Sequence, residues 1–346
     1  MNKPLILRYR GFSRQIHRST PGRLALALLF TGLTLLFSLS AGKVMLSPLA
    51  VLRILYFDSD PALTFIVGQL RLPRILMAGL VGAALGVSGL ILQSIIRNPL
   101  ASPDLLGITS GASSAAVLYL SFFSLALGPQ YLPLAAMSGA GLAMLTVWLL
   151  AWRQGASPLR LVLIGVGVSA LLGAVTTFIL VFSPLTTTLS AYVWLTGSVY
   201  GTSWPETRMM AGWLLAILPL LILLSRQVMA QQLNDDLARG IGVRVQQQRA
   251  GLLLASVALA GTAVAWGGAM AFVGLIAPHI ARRLLAPGFA ALAVMTACCG
   301  AILVMLADLA GRLLFLPADL PAGIFVAVAG APFFLYLLIK QRHEGR

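Results

Sequence analysis

Few side chains in this chain of 346 residues could act as a nucleophile, a base or a metal ligand. Gly86-Val87-Ser88-Gly89 places a serine between glycines in an apolar run, and His279 lies in a later apolar run. A serine hydroxyl beside a histidine base can attack a peptide carbonyl, so one hypothesis is a protease acting inside a membrane. The other histidines, His17 and His343, are far from His279 in sequence, and we expect no metal site.

The serine stretch resembles the Gly-x-Ser-x motif of rhomboid intramembrane proteases. However, Pro278 precedes His279 and Arg282-Arg283 follows it, which places this histidine near the inner surface. We therefore expect Ser88 to let helices approach one another, and we expect no catalytic residue in this chain. A Gly-x-x-x-x-Gly-Lys-Ser/Thr motif is absent from the sequence, so the chain is expected to bind neither ATP through a P-loop nor another cofactor.

Arginines beside apolar runs form the second group of candidate functional residues. Arg71 and Arg74 lie at the start of one apolar run, and Arg312 follows the end of another. We expect all three to face water with few carboxylates in reach, which favours docking of an acidic partner over simple snorkelling at the interface. Asp308 is four residues before Arg312, so the two side chains are predicted to pair on one helix face.

A polar segment at about 227–249 is the longest after the N-terminal leader. It contains Asp235 and Asp236, followed by glycines at 240 and 242. Such a segment suits either a solvated loop or a short docking helix, and the residues alone leave both interpretations open.

The amino-acid composition of the chain indicates the class of protein to which these residues belong. Apolar residues make up 59% of the chain and charged residues only 10%, with 24 Lys and Arg against 9 Asp and Glu. A soluble domain carries about 25% charged residues, so a soluble enzyme, a disordered chain and a nucleic-acid binder are excluded. The adjacent Cys298 and Cys299 indicate no disulfide framework.

The apolar runs predict an all-α, polytopic membrane protein with ten spans. They are placed at about 24–42, 73–95, 107–127, 131–151, 160–182, 208–225, 250–267, 270–285, 290–310 and 321–339. With both termini in the cytoplasm, most Lys and Arg fall in the inner segments, as the positive-inside rule requires. Residues 1–23 are then a basic cytoplasmic leader, 341–346 are a cytoplasmic tail, and the first span is expected to remain uncleaved.

Several strings along residues 24–340 resemble the FecCD permease family, the membrane subunits of type II ABC importers. They are R-L-P-R at 71–74, G-A-A-L-G-V-S-G at 82–89 with Gln93, R-N-P-L-A-S-P-D-L-L-G at 97–107, F-V-G-L-I-A-P-H-I-A-R at 272–282, A-D-L-A-G-R at 307–312, L-P-A-G at 320–323 and G-A-P-F-F at 330–334. Their order implies one permease domain with the fold of the cobalamin importers, located in the bacterial inner membrane.

The resemblance also implies roles for individual residues. Arg71, Arg74 and Arg312 match the arginines that contact acidic residues of the binding protein. Coupling to the ATPase falls on the 227–249 segment, at Asp235, Asp236, Ala238, Gly240 and Gly242, where Gly240-Ile241-Gly242 departs from the usual Ala-Leu-Gly. The outer gate falls within 191–201, at Trp194, Thr196, Gly197 and Ser198.

The implied partners are two copies of an ABC ATPase, a periplasmic or lipoprotein binding protein, and a second permease subunit, identical or homologous. The lipid membrane is a further partner, and nucleic acid is not one. The expected substrate is a ferric siderophore of the catecholate type, with cobalamin or haem as the alternatives. A self-sufficient secondary transporter usually carries carboxylates inside its spans, whereas the carboxylates here fall near predicted helix ends.

Overall fold

A computed structural model of the chain describes residues 5–9, 12–16, 19–57, 60–152, 155–231, 235–240, 242–285, 288–315 and 318–344. Fifteen α-helices make up most of this part of the chain. They are α1 Thr20–Ser40, α2 Pro48–Tyr56, α3 Pro61–Phe65, α4 Leu72–Ile96, α5 Ile108–Phe122, α6 Ser124–Leu127, α7 Leu132–Ala151, α8 Pro158–Phe182, α9 Leu185–Thr196, α10 Trp204–Gln231, α11 Asp235–Gly240, α12 Val245–Gly267, α13 Val273–Leu284, α14 Phe289–Leu313 and α15 Ala322–Glu344.

Each of the ten predicted spans coincides with a helix. Eight of the described helical segments are long and apolar enough to cross a membrane by length and composition. The predicted spans at 107–127 and 270–285 correspond to shorter helices, α5 with 15 residues and α13 with 12. A helix of 12 residues extends about 18 Å, so α13 cannot cross a bilayer core of about 30 Å alone.

The basic leader contains an antiparallel pair of strands, β1 Leu5–Tyr9 and β2 Phe12–Ile16, which the all-α prediction did not include. In the register of this pair, Leu5 lies opposite Ile16 and Tyr9 lies opposite Phe12. Predicted leader residues 1–4, 10–11 and 17–18 and tail residues 345–346 lie outside the described part of the chain. Helix α1 begins at Thr20, within the predicted leader.

Helix α4 lies at the centre of the bundle. A π-helical turn at Ile66–Arg71 leads into it, and most of its 25 residues are buried. Its sequence is apolar on all sides, as expected for a helix surrounded by other helices. The neighbours α12, α13 and α14 contact α4 on different faces, and glycines let their backbones approach it.

Two glycine contacts set the closest approaches to α4. A Cβ atom at Gly82 would overlap the carbonyl oxygen of Gly300 on α14, and one at Gly89 would overlap that of Gly274 on α13. Small residues permit this spacing because no side chain separates the two backbones.

Ser88 also serves helix packing, and the protease hypothesis is wrong. Its hydroxyl lies 2.7 Å from the Ser256 hydroxyl and donates to the Ser256 carbonyl oxygen at 2.9 Å, which links α4 to α12. His279 instead meets the Phe333 ring edge-on, with 5.4 Å between ring centroids. The serine and the histidine therefore have different partners, and each belongs to a packing contact between helices.

We predict that Gly82→Ala destabilises the bundle, because its Cβ would also lie 2.9 Å from Val304 Cγ2. Forcing atoms into such a contact costs about 1–3 kcal/mol. The measurement is the thermal midpoint of the purified protein in detergent. Gly141→Ala is the matched control, since a Cβ at Gly141 meets no atom within 4 Å. Equal midpoints for the two variants would contradict the proposed close crossing.

Candidate functional site

Charged residues meet at both ends of α4. By the positive-inside assignment, the end at Leu72 is the outer end and the end at Ile96 is the inner end. We call Arg71, Arg74 and Arg312 together with Asp308 and Asp319 the outer arginine cluster. Arg97, Asp235 and Arg249 form the inner clamp.

Arg74 is the centre of the outer arginine cluster. Its Nη1 and Nη2 donate to the two carboxylate oxygens of Asp319 at 2.6 and 2.8 Å, and its Nε donates to Asp308 at 2.8 Å. Asp308 is 1% exposed, whereas the Asp319 side chain is 29% exposed. The planar guanidinium suits this two-point contact with a carboxylate. Arg74 therefore joins α4, α14 and the segment that precedes α15.

Arg71 and Arg312 bind the C-terminal end of α1. Arg71 donates to the carbonyl oxygens of Leu39 and Val44, both at 2.7 Å. Arg312 donates to the Ser38 hydroxyl at 2.8 Å and to the Ser38 carbonyl oxygen at 3.2 Å. The last carbonyls of a helix lack partners within it and carry partial negative charge. The last turn of α1 contains no basic residue, so the two arginines supply the positive charge at this helix end.

The predicted gate residues lie at the end of α9, against two other elements. Gly197 ends α9 with φ +80°, and its carbonyl accepts a hydrogen bond from Gly323 N on α15 at 2.9 Å. A Cβ at Gly268 would overlap the Trp194 carbonyl oxygen, and one at Gly323 would overlap that of Thr196. The end of α9 is thus enclosed by the turn after α12 and by the start of α15.

The segment after α9 also reaches the outer arginine cluster. The Ser198 hydroxyl accepts from Tyr200 N at 3.1 Å, and the Tyr200 ring centroid lies 5.4 Å from Arg74 Cζ. A guanidinium at this distance from an aromatic face is attracted to it. Arg74 therefore contacts both the carboxylates and the predicted gate segment.

The inner clamp fixes α11 at its first residue. The Asp235 carboxylate accepts from Arg97 at the end of α4, and from Arg249 on α12 at 2.9 and 3.1 Å. Arg249 is fully buried, and its Nη1 also donates to the Ala156 carbonyl between α7 and α8. One carboxylate thereby joins α4, α11, α12 and the α7–α8 connection.

The two arginines determine the ionisation of Asp235. Burial alone would raise the pKa of this carboxyl, but the hydrogen bonds and charges of Arg97 and Arg249 hold the pKa below its usual value. The carboxylate form is therefore the one that stabilises the clamp.

The backbone after α11 has the form of a helix-ending turn. Gly242 N donates to the Arg239 carbonyl at 2.9 Å, and Val243 N donates to the Ala238 carbonyl at 3.0 Å. Gly242 has φ +83°, which glycine adopts without a steric penalty. Ala238 is buried, whereas Asp236, Leu237 and Gly240 are exposed. The buried alanine holds α11 to the bundle, and the other face of α11 is open.

Comparison with known proteins decides the family. The model of the FecCD transport family matches residues 28–340. The achromobactin transport system permease protein CbrC of Dickeya dadantii is 68% identical over 343 residues, covering 99% of this chain and 98% of the relative. The ferric enterobactin transport system permease protein FepG of Escherichia coli K12 is 40% identical over 309 residues, covering 89% and 93%.

The chain belongs to the FecCD transport family. A solved structure described as an inward-facing metal-chelate type ABC transporter superposes with a TM-score of 0.83 at 31% identity, covering 92% of this chain and 99% of that one. The chain is therefore a multi-pass membrane subunit of an ABC importer and not an enzyme. As a FecCD permease it works with an ATPase, a binding protein and a second permease subunit.

The structure corrects the expected surroundings of the three outer arginines in this FecCD permease. They were predicted to face water with few carboxylates in reach, but Arg71 and Arg74 are each only 8% exposed. Chain folding brings Asp319, which is 245 residues away, onto Arg74. The predicted pair of Asp308 and Arg312 is confirmed, with Arg312 Nε 3.0 Å from Asp308 Oδ2. Docking of a partner by these arginines stays a prediction.

The predicted coupling segment is shorter in the FecCD permease than the sequence indicated. Helix α10 extends to Gln231 and α12 begins at Val245, so α11 and its flanking residues form the connection. Of the predicted residues, Asp235 is the one bound to two other helices, while Asp236 contacts Arg239 at 3.6 Å on the surface. The roles of the five predicted residues in coupling stay predictions.

Several contacts of the site were not predicted. From the sequence, Arg97 and Arg249 could be recognised only as cations near helix ends. Their ion pairs with Asp235 could not be predicted, because both arginines are distant from Asp235 in sequence. The contact of Tyr200 with Arg74 was also not predicted, because the sequence showed only that Tyr200 lies in the gate segment. Within the described ranges, no three His, Cys, Asp or Glu side chains form a group that could hold a metal ion.

Loss of the Asp235 charge should loosen α11. We predict that Asp235→Asn raises the opening equilibrium of residues 235–240 about fivefold, since a partly exposed ion pair contributes about 1 kcal/mol. Hydrogen exchange of these amides at neutral pH measures the opening. Asp236→Asn is the control, because the Asp236 side chain is 97% exposed. Equal protection in the two variants would exclude the clamp.

The same clamp predicts a pH dependence. Because folding lowers the pKa of Asp235, its stabilisation is complete above the ordinary carboxyl pKa of about 4 and is lost as the pH falls below that value. Proteolysis within 235–240 by an acid-active protease should therefore increase more steeply below pH 4 for the wild type than for Asp235→Asn. Parallel pH curves would contradict this assignment.

Proposed function

We propose that this FecCD permease carries a ferric siderophore across the bacterial inner membrane. The observation that carries the proposal is the 68% identity, over nearly the whole chain, to a permease named for achromobactin transport. Other similar permeases are named for ferric enterobactin, iron(3+)-hydroxamate and Fe(3+)-citrate. All of these permeases are named for the transport of an iron chelate, so an iron chelate is the substrate class that they share.

Within that class, achromobactin is the first chelate to test. The catecholate expected from the sequence rests on likeness to enterobactin-type permeases, and the permease of that type is 40% identical. Cobalamin and haem are the alternative substrates. The scarcity of charge along the spans suits a passage that binds its cargo weakly and releases it.

The substrate test is uptake by cells that lack their own siderophore permeases. The chain is co-expressed with its cognate ATPase and binding protein and offered radiolabelled iron as achromobactin, enterobactin, hydroxamate or haem, or labelled cobalamin. We expect accumulation from achromobactin, and none when the ATPase is inactivated. Accumulation of cobalamin or haem alone would reject the siderophore assignment.

The outer arginine cluster is proposed as the surface that the binding protein contacts. Arg74 is already bound at two points by Asp319, and Asp319 is the more exposed of its two carboxylates. A carboxylate of the binding protein would therefore compete with Asp319 for the guanidinium. Such an exchange replaces one charged hydrogen-bonded pair by another, so docking need not leave a buried arginine unpaired.

Removing the competing charge should strengthen docking. We predict that Asp319→Asn raises the affinity for the binding protein several-fold, while Arg74→Gln lowers it, both measured by surface-immobilised binding at low salt. Asp60→Asn removes an equal charge from an exposed turn that does not contact Arg74 and should change little. Unchanged affinity in both Asp319→Asn and Arg74→Gln would mean that Arg74 only holds the bundle together.

The ATPase subunits, proposed as two copies, are expected to contact α11. Its exposed face presents Asp236, Leu237 and Gly240, while Asp235 holds the helix to α4 and α12. A displacement of α11 would be transmitted to α4, the central helix, through the ion pair between Asp235 and Arg97. The second permease subunit is proposed to complete the translocation pathway, as an identical or a homologous chain.

A further inference from the structure

A groove with a volume of about 460 Å³ opens on the side of the bundle between α1 and α10. Helices α4 and α14 form its floor, where small residues such as Gly79 and Ala301 leave room. Leu35 forms part of one wall, and Trp204 and Arg208 lie where the groove meets the start of α10. The groove is independent of the outer arginine cluster and of the inner clamp.

The position of the groove along the helices places it in the outer half of the membrane. Its α4 residues lie between Ile75 and Ala83, in the first half of a helix that begins at the outer end. Its α14 residues lie between Ala297 and Met305, around the middle of that helix, and its α10 residues lie between Trp204 and Ala211, in the first turns from the outer end. Eight residue steps on α4 extend about 12 Å, close to the thickness of one leaflet of hydrocarbon.

The outer mouth of the groove has the chemistry of a lipid headgroup region. The Trp204 ring is held by a hydrogen bond from Nε1 to the Gly68 carbonyl at 2.8 Å. Arg208 is exposed, and its Nε donates to the Trp204 carbonyl at 3.4 Å. Glu206, the nearby acid, accepts from Ser203 N at 2.8 Å and from its hydroxyl at 3.1 Å. Among the described residues, no carboxylate forms an ion pair with Arg208.

We propose that this groove is a binding site for an anionic phospholipid of the outer leaflet. One acyl chain lies between α1 and α10 over Gly79, and the headgroup phosphate accepts hydrogen bonds from the Arg208 guanidinium. An anionic headgroup is preferred over a zwitterionic one because it brings no cation of its own to oppose Arg208. Tryptophan at the mouth matches the usual position of this residue at the membrane interface.

The first test measures lipid retained by the full chain after purification from vesicles with equal phosphatidylglycerol and phosphatidylethanolamine. Native mass spectrometry should show retained phosphatidylglycerol, reduced about fivefold in Arg208→Gln, since one cation near an anionic surface contributes on that scale. Arg53→Gln, an exposed arginine outside the groove, should retain the wild-type amount. Equal retention by the wild type and Arg208→Gln would overturn the headgroup assignment.

The second test fills the groove. In Gly79→Leu the Cβ would make only ordinary contacts with Met305 and Ala301, so the variant should fold while its longer side chain enters the groove. Gly141→Leu adds the same side chain at an open position on α7 and is the matched control. Phosphatidylglycerol with a photoreactive acyl chain should cross-link to the groove helices in Gly141→Leu and not in Gly79→Leu.

Cross-links that map to other helices in the wild type would reject the site. Absence of a lipid adduct on the groove helices of both the wild type and Gly141→Leu would also reject it.

Discussion

Direct contact between the backbones of α4 and its neighbours is the constraint on which the two charged sites depend. Gly82 on Gly300 and Gly89 on Gly274 leave no space for side chains, so the spacing of α4, α13 and α14 is fixed by main-chain atoms. Helix α4 carries Arg74 near its outer end and Arg97 at its inner end, about 35 Å apart along the axis. A displacement of this helix would therefore reach both sites.

Pairing explains how a chain with so few charges places several of them in buried positions. An unpaired arginine or aspartate in such surroundings would cost several kcal/mol. The outer arginine cluster avoids this by combining three guanidinia with two carboxylates and with the free carbonyls of α1. The inner clamp does the same with two guanidinia, one carboxylate and the carbonyl of Ala156. Each cluster also joins segments that are far apart in sequence.

The sequence was informative about spans and family and less so about contacts. Apolar runs located the helices, because a membrane span needs a continuous apolar stretch, and the ordered strings identified the family. The pair of Asp308 and Arg312 was predictable because both lie on one helix turn. The contacts of Arg74 with Asp319 and of Asp235 with Arg97 were not, because helix packing decides which distant residues meet. Side-chain exposure was misjudged for the same reason.

We infer that this FecCD permease is a passage that moves its cargo only when partners supply energy and substrate. The most direct measurement is accumulation of labelled ferric siderophore in vesicles that contain the complete importer, with and without ATP and the binding protein. Accumulation is expected only when both are present, and none is expected in vesicles that hold the permease subunits alone. Accumulation by the permease subunits without the ATPase and nucleotide would contradict it.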